Sequence, residues 1–379
     1  FTGGVGAPSF YNFHYNTIQF YDDLYDTVGD HGLKFGFMAY RIRDNLTAVT
    51  DGNGVYSYGS LAAFLTNSAP NNFTALQSGG TITGRSIRQT VLGGYAQDDW
   101  RVSPTLTVNM GMRYEWASIP TETHGDLSIL PTLSSPQPRC LRPIAGCGSA
   151  GPYYLSNPTK YDFEPRLGLS WDPTGHGSTA IRAGFGVYDI LPLPYISNLE
   201  YVFTAPFFKL GVTNAPPAGS FQPSNNPNDA YFDIAATSNT LRQAWQDQYP
   251  KRSYVMQYDL NVQHQFSNSI SATLGYIGSG GVHEPFRTEE ANGVVPSDPN
   301  VLVWPTGSTN NDRVNPNAGV IRGLLWEGKS NYNALEAQLN KHMANGLQLS
   351  ASYTWSHDID DGTSAVAGDT FANSIPGLL

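Results

Sequence analysis

"PTLTVNMGMRYEW", residues 104–116, alternates without a break. Leu106, Val108, Met110, Met112, Tyr114 and Trp116 fall on one side of an extended chain; Thr105, Thr107, Asn109, Gly111, Arg113 and Glu115 fall on the other. Successive side chains of a strand point to opposite faces, so this is a ribbon with one apolar and one polar face. The apolar face ends in a Tyr and a Trp, while both charges keep to the polar face.

The same period-two pattern returns six more times. Leu167, Leu169 and Trp171 alternate with Arg166, Gly168 and Ser170, and Ile181, Ala183, Phe185 and Val187 with Arg182, Gly184 and Gly186. Met256 to Val262 alternate with Gln257, Asp259 and Asn261, and Ile270 to Tyr276 with Ser271, Thr273 and Gly275. Leu335, Ala337 and Leu339 oppose Glu336, Gln338 and Asn340; Leu347, Leu349, Ala351, Tyr353 and Trp355 oppose Gln348, Ser350, Ser352 and Thr354. Residues 16–27, 32–43 and 87–100 are further strands with less regular alternation, and "GGYAQDDW" fits either register. The reading is ten strands.

Connections come in two lengths that alternate strictly. Short ones carry turn residues: 28–31, 101–104, 172–178, 267–269 and 342–346. Long ones, rich in Pro, Gly, Asn and Ser, run over about 44–86, 118–160, 189–252 and 279–330. A transmembrane barrel with short inner turns and long outer loops has this layout by construction. Within "YGSLAAFL", 58–65, a short helix is expected inside its loop.

Composition agrees. Of 379 residues only 14% are charged and 12% are aromatic, so polarity rests on neutral side chains. The longest apolar runs are about five residues, against roughly twenty for a membrane helix. The net charge of -10 argues against nucleic acid as a partner. Phe1 is not an initiator and no signal peptide is visible, so the chain reads as a fragment or a processed product.

The fold expected is therefore all-β, an antiparallel transmembrane β-barrel with about ten strands, which the resemblance described below implies to be partial, a piece of a larger barrel. The apolar faces meet lipid and the polar faces a watery lumen. An Arg or Lys facing mid-bilayer lipid costs roughly 2–4 kcal/mol, which fixes the register. Tyr114, Trp116, Tyr276, Tyr353 and Trp355 then belong to an interfacial girdle at the loop end, and Trp171 to one at the turn end.

Four stretches, "YAQDDWRVSPTLTVNMGMRYEW", "EPRLGLSWDPTGHGSTAIRAGFGVY", "QYDLNVQHQFSNSISATLGYIGS" and "SNYNALEAQLNKHMANGLQLSASYTWSHDIDD", resemble the barrel of TonB-dependent outer-membrane receptors. The likeness runs in order over residues 16–361 and is nearest the Oar-like group, which often carries a carboxypeptidase-regulatory-like domain. It implies a mid-barrel piece spanning residues 1–379, without plug, TonB box or terminal aromatic strand. It implies residence in the outer membrane of a Gram-negative bacterium. It also implies partnership with the TonB complex through regions outside the chain, and energised uptake of a nutrient such as a siderophore, oligosaccharide or peptide. A passive porin and a soluble exported β-sandwich adhesin or carbohydrate-binding module are the alternatives.

No G-x-S-x-G, H-E-x-x-H or P-loop occurs in the sequence, so no enzyme activity and no cofactor are expected. Arg113, Glu115, Arg166, Arg182, Asp259 and Glu336 are expected on the lumen wall, packed against a plug or touching solute. Tyr153, Tyr154, Phe207, Phe208 and Trp304 are loop aromatics that could stack on a sugar or peptide, or simply order the loops. Cys140 and Cys147, in "CLRPIAGC", form either a small loop disulfide or two free thiols. Asp358, Asp360 and Asp361 are a weak site for a hard cation, with solvated rim acids as the plainer reading. "DGNG", 51–54, begins like a calcium loop but lacks the later acids, and His283–Glu284 is read as a loop surface pair.

Overall fold

The computed structural model describes residues 10–362 except 53, 78–80, 220–240, 289, 295, 296, 298–302, 304, 305, 308 and 345. Ten long strands cover the described part: β1 (Phe10–Val28), β2 (His31–Val49), β3 (Gly84–Ser103), β4 (Leu106–Ala117), β5 (Asp162–Trp171), β6 (Thr179–Asp189), β7 (Tyr254–Ser267), β8 (Ile270–Thr288), β9 (Ile321–Ala344) and β10 (Leu347–Asp360). Each pairs antiparallel with the next in sequence, a simple meander. Among the described residues, β1 and β10 do not pair with each other. All long connections lie at one end of the sheet and all short turns at the other.

Cross-strand partners share a face, so the register assigns both sides. One hydrogen-bonded row reads Trp100, Val108, Leu169, Ala183, Leu260, Tyr276, Leu335, Trp355. Every member is apolar or aromatic. The row begins beside the short turn of β3 and ends towards the loop end of β10, the stagger of strands tilted to a barrel axis. It also settles "GGYAQDDW": Leu92, Ala96 and Trp100 join the apolar face opposite Trp116, Met112 and Val108, and Tyr95, Gln97 and Asp99 turn inward. The apolar face is uncovered by protein, with Leu260 50% exposed and Leu349 47%. Aromatics mark both margins. Tyr114 and Phe163 lie with ring centroids 4.9 Å apart near the loops, and Trp100 stacks at 5.4 Å on His31 beside a short turn.

The strands outrun the sequence expectation at the loop end. The gaps between long strands are 50–83, 118–161, 190–253 and 289–320. Above the lipid band the outer face turns polar, as at the exposed Arg41 and Arg43 of β2, and alternation of hydrophobicity fails as a guide. In "GSGGVHEPF" the glycines concealed β8. Gly278 leaves room for the Tyr258 ring, and a Cβ there would sit 2.1 Å from it; Gly281 likewise lies under Glu284. His283 and Glu284 are therefore not a loop pair. They sit in β8 at a bulge, where His283 takes φ 53° and its Nδ1 lies 3.0 Å from Arg252 O.

The dry core lies in the loops. Leu46 and Ile87, on the inner face of β2 and β3, pack with Leu127, Ile129, Tyr153 and Tyr154 from the second long loop and with Tyr201, Val202, Phe203, Phe208 and Leu210 from the third. Phe203 touches both Tyr11 of β1, centroid to centroid 6.2 Å, and the Arg322 guanidinium of β9 at 5.5 Å. The sheet is thus curled until its first and ninth strands flank one side chain.

The two faces predict opposite tolerance to charge. Leu260→Arg is expected to cost roughly 2–4 kcal/mol in urea titrations of the protein refolded in lipid vesicles, whereas Asn261→Arg, one residue along, stays within about 0.5 kcal/mol.

Candidate lumen site and loop cap

The register places Arg113, Glu115, Arg166, Arg182, Asp259 and Glu336 on the inner face. They do not form one cluster. Arg113, Arg166 and Asp259, with Lys34, Tyr95 and Tyr188, line a trough of about 500 Å³; Glu115, Arg182 and Glu336 lie outside its lining. Its floor is bare because Gly111, Gly168, Gly184 and Gly186 occupy adjacent strands. A Cβ on Gly184 would lie 2.4 Å from the Asp259 carboxylate, so the glycine lets that side chain lie flat.

The cations in and beside the trough have companions. Arg113 donates from Nε to Glu115 Oε1 at 2.8 Å, and Arg166 from Nη2 to Glu164 Oε2 at 2.7 Å. The Arg166 guanidinium stands 4.5 Å above the Tyr188 ring. Lys34 Nζ meets Asp99 at 2.7 Å, and Tyr95 donates its hydroxyl to Asp23 at 2.7 Å, passing over Gly36. Arg182 donates to Gln263 at 3.3 Å. Tyr95, Asp99, Glu164 and Tyr188 were missed in the sequence. Glu164 had a signal, standing two residues before Arg166 on the same face; Tyr95 and Asp99 lay in the stretch of ambiguous register. Such a wall of paired donors and acceptors can hold a polar molecule or chain segment through hydrogen bonds.

A second charged group closes the loop base. Arg252 grips Asp189 with Nε at 2.7 Å and Nη2 at 3.0 Å, reaches Asp162 at 3.5 Å, and donates to Phe163 O at 2.7 Å. It ties the long loop before β7 to β5 and β6.

Of the two readings of the loop aromatics, loop ordering is the one the burial supports. Tyr153, Tyr154, Phe207 and Phe208 are at most 1% exposed and cannot stack on a solute. The loops bury Tyr153, Tyr154 and Phe208 against Leu46 and Ile87, because so much uncharged chain at one end of a sheet needs an interior of its own. Phe207 lies between two cations, Arg85 at 5.6 Å and Arg142 at 5.4 Å. Trp304 lies outside the described residues. Cys140 and Cys147 are joined in a disulfide with Cα atoms 5.9 Å apart, closing a turn of the second long loop.

Asp358, Asp360 and Asp361 do not converge. Asp361 Oδ1 accepts from Lys329 N at 2.7 Å, and Asp360 Oδ1 from Gly362 N at 3.0 Å. Among the described residues the acids and histidine that do converge are Glu122, His124 and Asp126. Their ligand atoms are already engaged. Glu122 accepts from Ser86 N at 2.9 Å, His124 N at 2.6 Å and Asp126 N at 3.0 Å, while Asp126 accepts from Arg142 Nε at 2.8 Å. The cluster is a clamp between the second loop and β3. Burial pushes the Glu122 carboxyl up, but the three amides outweigh it and hold the group below the usual carboxylate range.

Residues 1–376 match the family model described as an outer membrane beta barrel domain, and the chain belongs to that family. Among solved structures it is similar to the outer membrane transporter YddB from Escherichia coli, with TM-score 0.51 and 12% identity over 92% of this chain and 34% of that one. The ferripyoverdine receptor of the outer membrane of Pseudomonas aeruginosa is also matched, with TM-score 0.44 and 13% identity over 95% of this chain and 34% of that one. The chain therefore spans about a third of the length of these structures. No curated protein matches it. Family and fold together place the protein in the outer membrane.

Two outcomes follow from the loop cap. Phe208→Ala is expected to loosen it by about 3–5 kcal/mol, seen as faster proteolysis of the long loops while the strands stay resistant. Glu122 has a lowered folded pKa, so its stabilisation is present above its unfolded pKa and is lost as pH falls through the folded value. Hydrogen-exchange protection factors of residues 121–126, corrected for the intrinsic slowing of exchange at lower pH, should fall on acidification, and Glu122→Gln should flatten that response.

Proposed function

We propose that this chain is part of the barrel wall of a TonB-dependent receptor of the Oar-like branch, serving energised uptake of a nutrient across the outer membrane rather than a chemical reaction. The observation that carries the reading is the pairing of two surfaces on the same ten strands: an uncovered apolar face outside and a glycine-floored trough of paired charges inside. The coverage of about a third of the matched structures supports a partial barrel, with the plug and the TonB-contacting segment in other parts of the receptor. The long loops would admit the solute, and the trough, with its donors and acceptors on both flanks, would hold either the plug or a polar solute in transit. Siderophores, oligosaccharides and peptides all present the hydrogen-bonding groups such a wall can meet.

Uptake by cells carrying the complete receptor tests this. Accumulation of a panel of labelled siderophores, oligosaccharides and peptides should include one solute whose entry stops when the proton gradient is collapsed or TonB is deleted. Entry that persists without energy would instead mark a passive porin.

A further inference from the structure

The outer face of β2 and β3 changes character over three cross-strand rows. The first reads Phe20, Ala39, Leu92, Trp116, with Phe20 63% and Leu92 38% exposed. Two residues nearer the long loops the row is Ile18, Arg41, Thr90. Two further on it is Asn16, Arg43, Arg88, Thr121. Each step is roughly 7 Å along the strand, so apolar surface gives way to guanidinium within about the depth of one headgroup layer.

The arginines are badly placed for one another. Arg43 and Arg88 are direct cross-strand partners, and Arg41 is diagonal to Arg88. Like charges opposed in this way destabilise a sheet. Among the described residues no carboxylate lies within 4.0 Å of any of the three. The acids next in line face the other way: Asp44 and Glu122 both pair with Ile87 on the inner face, and both are buried. The acceptors the arginines do find are neutral. Arg88 Nη1 donates to Asn45 Oδ1 at 3.0 Å and to Ile87 O at 2.8 Å, and Arg41 Nη1 to Thr90 Oγ1 at 2.7 Å. These bonds aim the guanidinium groups without cancelling their charge. In a chain of net charge -10, three outward arginines with no counter-charge call for an anion from outside the protein.

We propose that the outward face of β2 and β3 binds a phosphate-bearing lipid of the outer leaflet. Arg41, Arg43 and Arg88 surround the phosphate, and Phe20, Leu92 and Trp116 run along the acyl chains. The outward direction excludes a solute in the lumen, the apolar row directly beneath calls for an amphiphile, and the long-loop end selects the outer leaflet. Guanidinium suits the task, since its fork of N–H donors matches the oxygens of a phosphate. The site depends on how the barrel sits in the membrane and not on what the barrel transports.

Native mass spectrometry of the full-length protein in a non-ionic detergent, titrated with lipid A, tests this. The wild-type protein should hold lipid A carrying two phosphates about tenfold more tightly than lipid A stripped of them. Arg43→Gln combined with Arg88→Gln should remove most of that preference. Lys341→Gln, which neutralises an outward cation opposite Ile270 at the short-turn end, should leave it intact. Equal affinity of the wild-type protein for the two lipids overturns the site, and that comparison needs no variant to fold. A preference that survives the double substitution overturns the assignment to these arginines. Inorganic phosphate displacing the lipid at equal concentration overturns the lipid in favour of a free anion.

Discussion

Hydrocarbon offers a polypeptide no hydrogen-bond partner, so each N–H and C=O crossing it must be satisfied within the protein. Here the solution is a ladder in which every strand pairs with its neighbour in sequence, β1 through β10. Such a ladder leaves one degree of choice, which face carries the apolar side chains. Because the side-chain period is two, a slip of one residue would drive Arg113, Arg166, Arg182 and Asp259 into lipid together. The register and the placement of charge are one decision.

From that decision the rest follows in order. Within the lipid band the outer face can be largely apolar, since it is solvated by acyl chains rather than by a second layer of protein. The inner face must then carry the polarity, and it does so with paired groups, Arg113 with Glu115, Arg166 with Glu164, Lys34 with Asp99. Glycines at 36, 111, 168, 184 and 186 are spaces into which those side chains, or a guest, can lie close to the backbone. The conventional hydrophobic core is displaced to the loop end, where long uncharged connections fold on one another around Tyr153, Tyr201 and Phe208.

How far the sequence could be read depended on which solvent each part meets. Within the lipid band the alternation of Leu106 to Trp116 or Ile270 to Tyr276 reports directly on the two faces, and ten strands, their order and the two lengths of connection were legible. Above the band both faces are wet or covered by loops, and the pattern no longer distinguishes them. The extensions of β8 and β9, hidden in "GSGGVHEPF" and its partner, carry a loop signal in the sequence for that reason. The lumen placement of Arg113, Glu115, Arg166, Arg182, Asp259 and Glu336 followed from the alternation, but their grouping did not. Which inner residues meet depends on cross-strand stagger, which brings Tyr95 across to Asp23 and leaves Arg182 and Glu336 outside the trough. The loop aromatics failed as surface residues because nothing local in "GPYYL" or "APFFK" tells a buried ring from an exposed one. The clamp of Glu122 on the amides of Ser86, His124 and Asp126 depends on a contact between distant segments that no motif announces.

A nitroxide scan along residues 270–277 of β8, in the protein reconstituted in lipid bilayers, tests the two-solvent account most directly. The account predicts relaxation that alternates with period two: labels at 270, 272, 274 and 276 collide with oxygen dissolved in the acyl chains, and labels at 271, 273, 275 and 277 with a water-soluble nickel chelate. Labels at 270, 272, 274 and 276 shielded from both relaxants would mean that protein, not lipid, covers the apolar face, and would contradict it.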